Sequence, residues 1–202
     1  TTITGEIKGL GTDTLYLYGM DELYDRIDTI YVENDKFSYT TSVDTITSAY
    51  LLLKNRIEYP VFLDKGNKIK IKGDTINLNF LTISGNIYNE EFTDFQKALE
   101  DPADPSEKAG EETVDKRITV EKANTAEEMA EEFILQHHSS YVSLYLLDKY
   151  FVQKETPDFS KIKKLVEVMT GVLQDKPYIE RLNETITQAE KSEIGKYAPF
   201  FS

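Results

Sequence analysis

The hydrophobic period of the chain changes once, near Gly85, and that change constrains the fold class more than any other feature. Before Gly85, apolar residues alternate in short runs. In Lys68-Ile69-Lys70-Ile71-Lys72 a period of two sends both isoleucines to one face and all three lysines to the other, which is a strand with one buried side. Ile3-Thr4-Gly5-Glu6-Ile7 and the run around Leu15-Tyr16-Leu17 alternate in the same way. Further strands are predicted over 27–33, 37–41, 49–54, 60–64 and 79–84, which are rich in Ile, Val, Tyr, Phe and Thr and are separated by Gly, Asn and Asp. Asn34-Asp35 and Lys65-Gly66-Asn67 read as hairpin turns. About eight short strands at this spacing predict an antiparallel β-sandwich or barrel over residues 1–85.

After Gly85 the apolar residues recur at helical spacing. Asn89 reads as an N-cap with Glu90 and Glu91 in the first turn, and Phe92, Phe95 and Leu99 share one face. Pro102 and Pro105 end that helix, because proline cannot continue it. The stretch 101–124 is dense in charge and poor in large apolar groups, so it is expected to be mobile. A helix is predicted over 125–137, with Met129 and Phe133 one turn apart. Ser139 or Ser140 would cap a segment over 141–152 that is apolar nearly all round and therefore buried. Asp158 would cap the next helix, with Ile162, Leu165, Val166, Met169, Val172 and Leu173 in one stripe. Pro177 suits the first turn of a last helix with Ile179, Leu182 and Ile186 inward. The fold class is therefore α+β: a β domain over 1–85 followed by an α-helical connector over 86–194.

Composition narrows the function. The net charge of −13 opposes nucleic acid, whose phosphates need a basic face, and opposes docking on anionic lipid. The three segments 1–85, 86–138 and 139–202 carry −3, −10 and 0, so the acidity belongs to the middle. No apolar run approaches the length of a membrane span. There is no cysteine, so the chain offers no thiolate, no disulfide and no sulfur ligand for a soft metal. It begins at Thr1 without an initiator methionine and reads as processed or trimmed.

Each residue cluster with chemical potential has a structural explanation that outweighs the functional one. His137-His138 are adjacent, point about 100° apart on a helix and suit a helix end better than a shared metal. Glu127, Glu128, Glu131 and Glu132 could hold a hard cation weakly, but read as a solvated helix face. Tyr16, Tyr18, Tyr24, Tyr31 and Tyr39 could stack on a sugar or a peptide, but tyrosine is also an ordinary strand residue. Gly5, Gly9, Gly11 and Gly19 make no phosphate cradle, and no nucleophile elbow is present. No catalytic residue, cofactor site or metal site is expected.

The segment Gly195-Lys196-Tyr197-Ala198-Pro199-Phe200-Phe201-Ser202 follows the last predicted helix with extended, aromatic sequence. Gly195, Ala198, Pro199 and Phe201 resemble the Gly-x-x-Ala-Pro-x-Phe opening of redox domains in exported thioredoxin-like proteins of the alkyl-hydroperoxide-reductase/thiol-specific-antioxidant superfamily. Phe200 stands where an acidic residue is common. Upstream, Ile3-Thr4-Gly5-Glu6-Ile7, Ile27-Asp28-Thr29, Asp35-Lys36-Phe37-Ser38-Tyr39, Phe62-Leu63-Asp64-Lys65-Gly66-Asn67 and Ile83-Ser84-Gly85 are similar to an uncharacterised β domain that precedes such redox domains in envelope proteins of Gram-negative anaerobes. Residues 133–147 resemble the helical connector of that family, and Asn34-Asp35 departs from its usual Asp-Gly turn.

The resemblance implies a periplasmic or envelope protein, often lipid-anchored, with a Cys-x-x-Cys centre beyond these residues. The chain would then be a non-catalytic accessory region of a thiol–disulfide oxidoreductase, acting as spacer, partner-binding surface or dimerisation unit. Its partners would be the thioredoxin-like domain that opens at 195–202, a second copy, or another envelope protein. Tyr197, Pro199, Phe200 and Phe201 would be the interdomain contacts. The alternative is an independent secreted module whose β face binds a glycan or a peptide.

Overall fold

A computed structural model describes residues 1–20, 23–53, 56–100 and 125–196 of the chain. Among them, eight strands form two four-stranded sheets, and five α-helices follow. The strands are β1 (Thr2–Lys8), β2 (Asp13–Gly19), β3 (Ile27–Val32), β4 (Lys36–Thr40), β5 (Thr47–Leu52), β6 (Glu58–Leu63), β7 (Lys68–Asp74) and β8 (Thr82–Ser84). One sheet has the order β4-β1-β7-β8 and the other β3-β2-β5-β6, so the fold is α+β with an open two-sheet sandwich and not a closed barrel. The predicted antiparallel pattern holds with one exception. β1 and β7 run parallel, in register from Thr2 opposite Lys68 to Lys8 opposite Asp74.

Alternation sets which side chains meet in the middle. Ile3 and Ile7 of β1, Leu15 and Leu17 of β2, and Ile69 and Ile71 of β7 are buried, while Lys68, Lys70 and Lys72 are exposed. β6 differs, because Tyr59 through Leu63 are all buried. A strand covered on both faces reads as a continuous apolar run, and here helices cover the outer one.

Both predicted hairpin turns join strands of different sheets. Asn34 (φ 52°) and Asp35 (φ 67°) are both left-handed, and Glu33 and Lys36 exchange backbone hydrogen bonds of 2.9 and 3.1 Å across them. That is the local geometry of a tight hairpin turn. Its arms then diverge, β3 into one sheet and β4 into the other. Lys65-Gly66-Asn67 likewise joins β6 to β7 in opposite sheets, so it is a corner and not a hairpin. Gly5 has a separate constraint. A Cβ there would lie 2.1 Å from the ring of Phe37, its partner on β4. The glycine leaves the space that the buried ring fills.

The helices are α1 (Ile87–Glu100), α2 (Ala126–Gln136), α3 (Tyr141–Leu147), α4 (Phe159–Val168) and α5 (Pro177–Lys196). Asn86, not Asn89, caps α1, since its Oδ1 accepts from the backbone N–H of Asn89 at 3.0 Å. Asn89 lies inside the first turn and is 1% exposed. Its Oδ1 accepts from the N–H of Phe62 at 3.0 Å, and its Nδ2 donates to the Phe62 carbonyl at 2.8 Å. One turn on, Thr93 Oγ1 accepts from the N–H of Ile83 at 2.9 Å and donates to its carbonyl at 3.0 Å. Phe62 is on β6 and Ile83 on β8, the two strands that end their sheets on this side. Two side chains of α1 thus bond the backbone of one edge strand in each sheet. The hydroxyl of Tyr59 on β6 also donates to the carbonyl of Leu81 at 2.8 Å, which ties the edges to each other.

Thr125 and Glu128 form a capping box at the start of α2. Ser140 caps α3 and Asp158 caps α4, each accepting a backbone N–H from the first turn. α3 runs on into a single π turn, Asp148–Val152. The expected stripe of α4 is cut short, because α4 ends at Val168 and Gly171 (φ 65°) redirects the chain. Met169 and Leu173 are buried, but Val172 is 57% exposed. α5 begins at Pro177 and includes Gly195 and Lys196, further than the predicted helix end. The stretch 101–124, predicted to be mobile, lies outside the described residues, as do Tyr197, Pro199, Phe200 and Phe201.

Candidate functional site

α1 packs Tyr88 and Phe92 on Tyr59 and Phe62 of β6, and α3 packs on the same aromatic residues. Phe92 meets Tyr145 with ring centroids 5.2 Å apart and planes at 86°, and Tyr88 meets Tyr141 at 5.2 Å and 61°. Edge-to-face contacts of this kind suit the ring quadrupoles. Tyr145 is thereby carried over the outer face of β5, where its ring lies 6.4 Å from that of Tyr50.

The π turn then places Asp148 beside the first turn of α5. Tyr178 donates to Asp148 Oδ1 at 2.5 Å, and Gln153 Nε2 donates to Oδ2 at 2.5 Å. Between β5, α3 and the start of α5 the structure leaves a cleft of about 410 Å³. Tyr50, Tyr145 and Tyr178 supply its aromatic walls, and Met20, Leu144 and Pro177 its aliphatic ones. Ser48, Asp148, Gln153, Lys176 and Arg181 supply the polar groups. Burial, with the nearby Asp148 and Glu58 carboxylates, pushes the Tyr50 phenol up to about 12. Burial also raises Tyr145, and burial with the Asp148 hydrogen bond raises Tyr178. All three phenols are therefore protonated donors near neutral pH. Among the described residues no serine hydroxyl is hydrogen-bonded to a histidine ring, and no group of three or more side chains could hold a metal ion.

The other sequence candidates have structural roles. His137 is the C-cap of α2, stacks on Phe133 with centroids 4.0 Å apart and has Nδ1 3.0 Å from the Phe133 carbonyl. Glu128 belongs to the capping box. Glu131 pairs with Lys161 at 2.8 Å, and Glu127 pairs with Lys161 at 3.7 Å and also with Lys154. Glu132 accepts from Gln136 at 3.0 Å.

The early tyrosines divide into two sets. Tyr24 is buried and donates to Asp28, and Arg26 Nε also reaches Asp28 at 3.1 Å. Burial alone would raise the Asp28 carboxyl, but hydrogen bonds from Tyr24, Tyr39 and Arg26 outweigh it and hold the group below its ordinary value. Tyr18 donates to Glu58. Tyr16 and Tyr31 remain 42% and 72% exposed on the outer face of β2 and β3.

Sequence reasoning did not single out Tyr50, Tyr145, Asp148 or Tyr178. The available signal was the Asp148-Lys149 pair within a largely apolar helical run.

The comparison with known families falls on the part of the chain that the edges and α1 unite. Residues 1–92 match the model of a domain of unknown function (DUF4369). The match takes in all eight strands and the first turn of α1, including Asn89. No curated protein and no solved structure matches the chain.

Proposed function

We propose that the chain is the non-catalytic front region of an envelope thiol–disulfide oxidoreductase and positions the redox domain that follows it. The observation that carries this reading is a cysteine-free sequence in which Gly195, Ala198, Pro199 and Phe201 resemble the opening of a thioredoxin-like domain. A match of residues 1–92 to a domain of unknown function is consistent with it. In this reading the sandwich and α1 form one rigid unit, α2 to α5 form the spacer, and Tyr197, Pro199, Phe200 and Phe201 contact the redox domain. The protein works in the periplasm or at the envelope, with a second copy or an envelope protein as further partner. The test is the coding frame beyond codon 202. A Cys-x-x-Cys within the next domain is expected, whereas a frame that closes or encodes no paired cysteines removes the reading.

A second reading is favoured by the cleft and by the exposed Tyr16 and Tyr31. The chain would be an independent secreted module that binds a glycan or a peptide on its second sheet. It predicts a closed frame and saturable binding to the isolated chain.

A further inference from the structure

We propose that the outer face of the β4-β1-β7-β8 sheet binds an acidic polysaccharide. The inference stands on this face alone and holds under either functional reading, since the second of them places its ligand on the other sheet.

Strand register fixes what the face carries. Lys68, Lys70 and Lys72 of β7 lie opposite Thr2, Thr4 and Glu6 of β1. Glu6 also lies opposite Lys36 of β4, and Lys8 lies opposite Asp74. All five lysines are exposed. Among the described residues none of their ammonium groups is in an ion pair or a hydrogen bond. The outward positions of these strands carry two carboxylates against them, Glu6 and Asp74, and Asp74 already accepts from the backbone N–H of Ile76 at 2.9 Å. The face is therefore locally positive in a chain whose acids outnumber its bases 36 to 23.

Two ordinary reasons for such lysines do not apply. Lysine on an edge strand repels other chains, but β7 is interior, between β1 and β8. A solvated face stays soluble with both signs interspersed, whereas three like charges on one strand, about 6.6 Å from one to the next, repel each other. The −13 net charge does not cancel the patch. Glu127, Glu128, Glu131 and Glu132 belong to α2, which packs on α1 and α3, and α3 lies over the other sheet. Exposed charges are screened beyond about 8 Å at physiological salt.

The occupant follows from charge and from hydroxyls together. The β7 lysines form a line about 13 Å long, which fits an extended polyanion better than a single small ion. Ser84 lies opposite Lys70, Thr82 opposite Lys72 and Ser38 opposite Thr4, and the hydroxyls of these three have no partner among the described residues. A hydroxyl both donates and accepts, so it matches a ligand that carries hydroxyls beside its anions. Lys8, Lys72 and Thr82 also border a shallow hollow of about 510 Å³ with Phe80, which has room for a sugar ring. An acidic peptide would seek an edge strand, and Thr93 already bonds the backbone of β8. Single-stranded nucleic acid would need rings for its bases to stack on, and the exposed positions of these four strands carry none.

The experiment titrates the isotope-labelled chain with an oligogalacturonate at physiological salt, following backbone amides by NMR. The acid form is expected to shift Thr4, Ser38, Lys70 and Thr82 saturably. Its methyl ester keeps the sugars and loses the charge, and should bind at least about tenfold more weakly. Polyglutamate of equal carboxylate number and phosphatidylglycerol vesicles are the competing occupants, and each should also be weaker by at least about tenfold. The triple change Lys68→Gln, Lys70→Gln and Lys72→Gln should weaken the acid form by at least about tenfold at an unchanged melting temperature. Lys163→Gln, Lys164→Gln and Lys191→Gln together remove the same charge from exposed positions of α4 and α5 and should leave the affinity unchanged. The shifts and the ester comparison are read on the unaltered chain, so they stand whatever the stability of a variant. Equal affinity for acid and ester, equal or tighter binding of either competitor, equal losses in the two triple variants, or no saturable shift on this face would each overturn the proposal.

Discussion

Asn89 gives Phe62 the two backbone hydrogen bonds that a neighbouring strand would have given it, at 3.0 and 2.8 Å. An edge strand otherwise presents unpaired N–H and C=O groups that invite another chain. Thr93 does the same for Ile83, so one helix face covers one edge strand of each sheet.

Removing either clamp should cost stability out of proportion to the atoms lost. Asn89→Leu leaves the Phe62 N–H buried without its acceptor, although Asn86 still reaches the Phe62 carbonyl at 2.8 Å. Thr93→Val leaves the Ile83 N–H in the same state. Each should destabilise by about 1–3 kcal/mol, read as a lower urea midpoint at unchanged slope. Thr93→Ser keeps the hydroxyl and should retain most of the stability.

Gly5 and Phe37 should behave as a coupled pair. Gly5→Ala drives a methyl into the Phe37 ring, where the nearest atom would be 2.1 Å away. Overpacking of this kind costs about 1–3 kcal/mol. Phe37→Leu in the same chain should recover part of that loss, so a double-mutant cycle should give a clear coupling energy. Additive losses would show that the ring does not occupy the glycine's space.

What the sequence disclosed was local. The alternation in Lys68-Ile69-Lys70-Ile71-Lys72, the cap at Asp158 and the start at Pro177 depend on neighbours in the chain, and each stands as read. The turn at Asn34-Asp35 was legible too, but not the parting of its arms, because core packing and not turn chemistry chooses each strand's sheet. Asn86 and Asn89 are equal as cap residues by type, and only the edge of β6 decides between them. Val172 fitted the stripe of α4 until Gly171 turned the chain. The cleft was illegible for a different reason. Tyr50 and Tyr145 stand ninety-five positions apart, and no periodicity reports that they face each other.

Asp28 should give the β-sandwich an acid-sensitive step. Hydrogen bonds from Tyr24, Tyr39 and Arg26 hold its folded-state carboxyl below the unfolded value of about 3.9. A depressed carboxyl contributes stability that is fully present above the unfolded pKa and is lost as pH falls through the folded one. The advantage of the wild-type chain over Asp28→Asn, measured by urea unfolding, should be flat near neutrality and shrink steadily below about pH 4. A constant difference down to low pH would remove the titrating role.

The ion pairs of Lys161 should matter little. Lys161 reaches Glu131 at 2.8 Å and Glu127 at 3.7 Å, and all three side chains are about one-third exposed. Lys161→Met keeps an apolar stem against Phe151, whose ring centre lies 5.2 Å from the ammonium. The loss should be below about 1 kcal/mol at low salt and should fade as salt is added.

Thiol–disulfide exchange, measured as insulin reduction, tests the functional reading most directly when two proteins are compared: the 202-residue chain and the complete product of the frame that encodes it. The chain has no cysteine to supply a thiolate, so it should match buffer alone. The complete product should reduce insulin and should lose that activity when its paired cysteines are changed to serine. A complete product that carries no paired cysteines and reduces no insulin would contradict the account and leave the secreted binding module as the reading that remains.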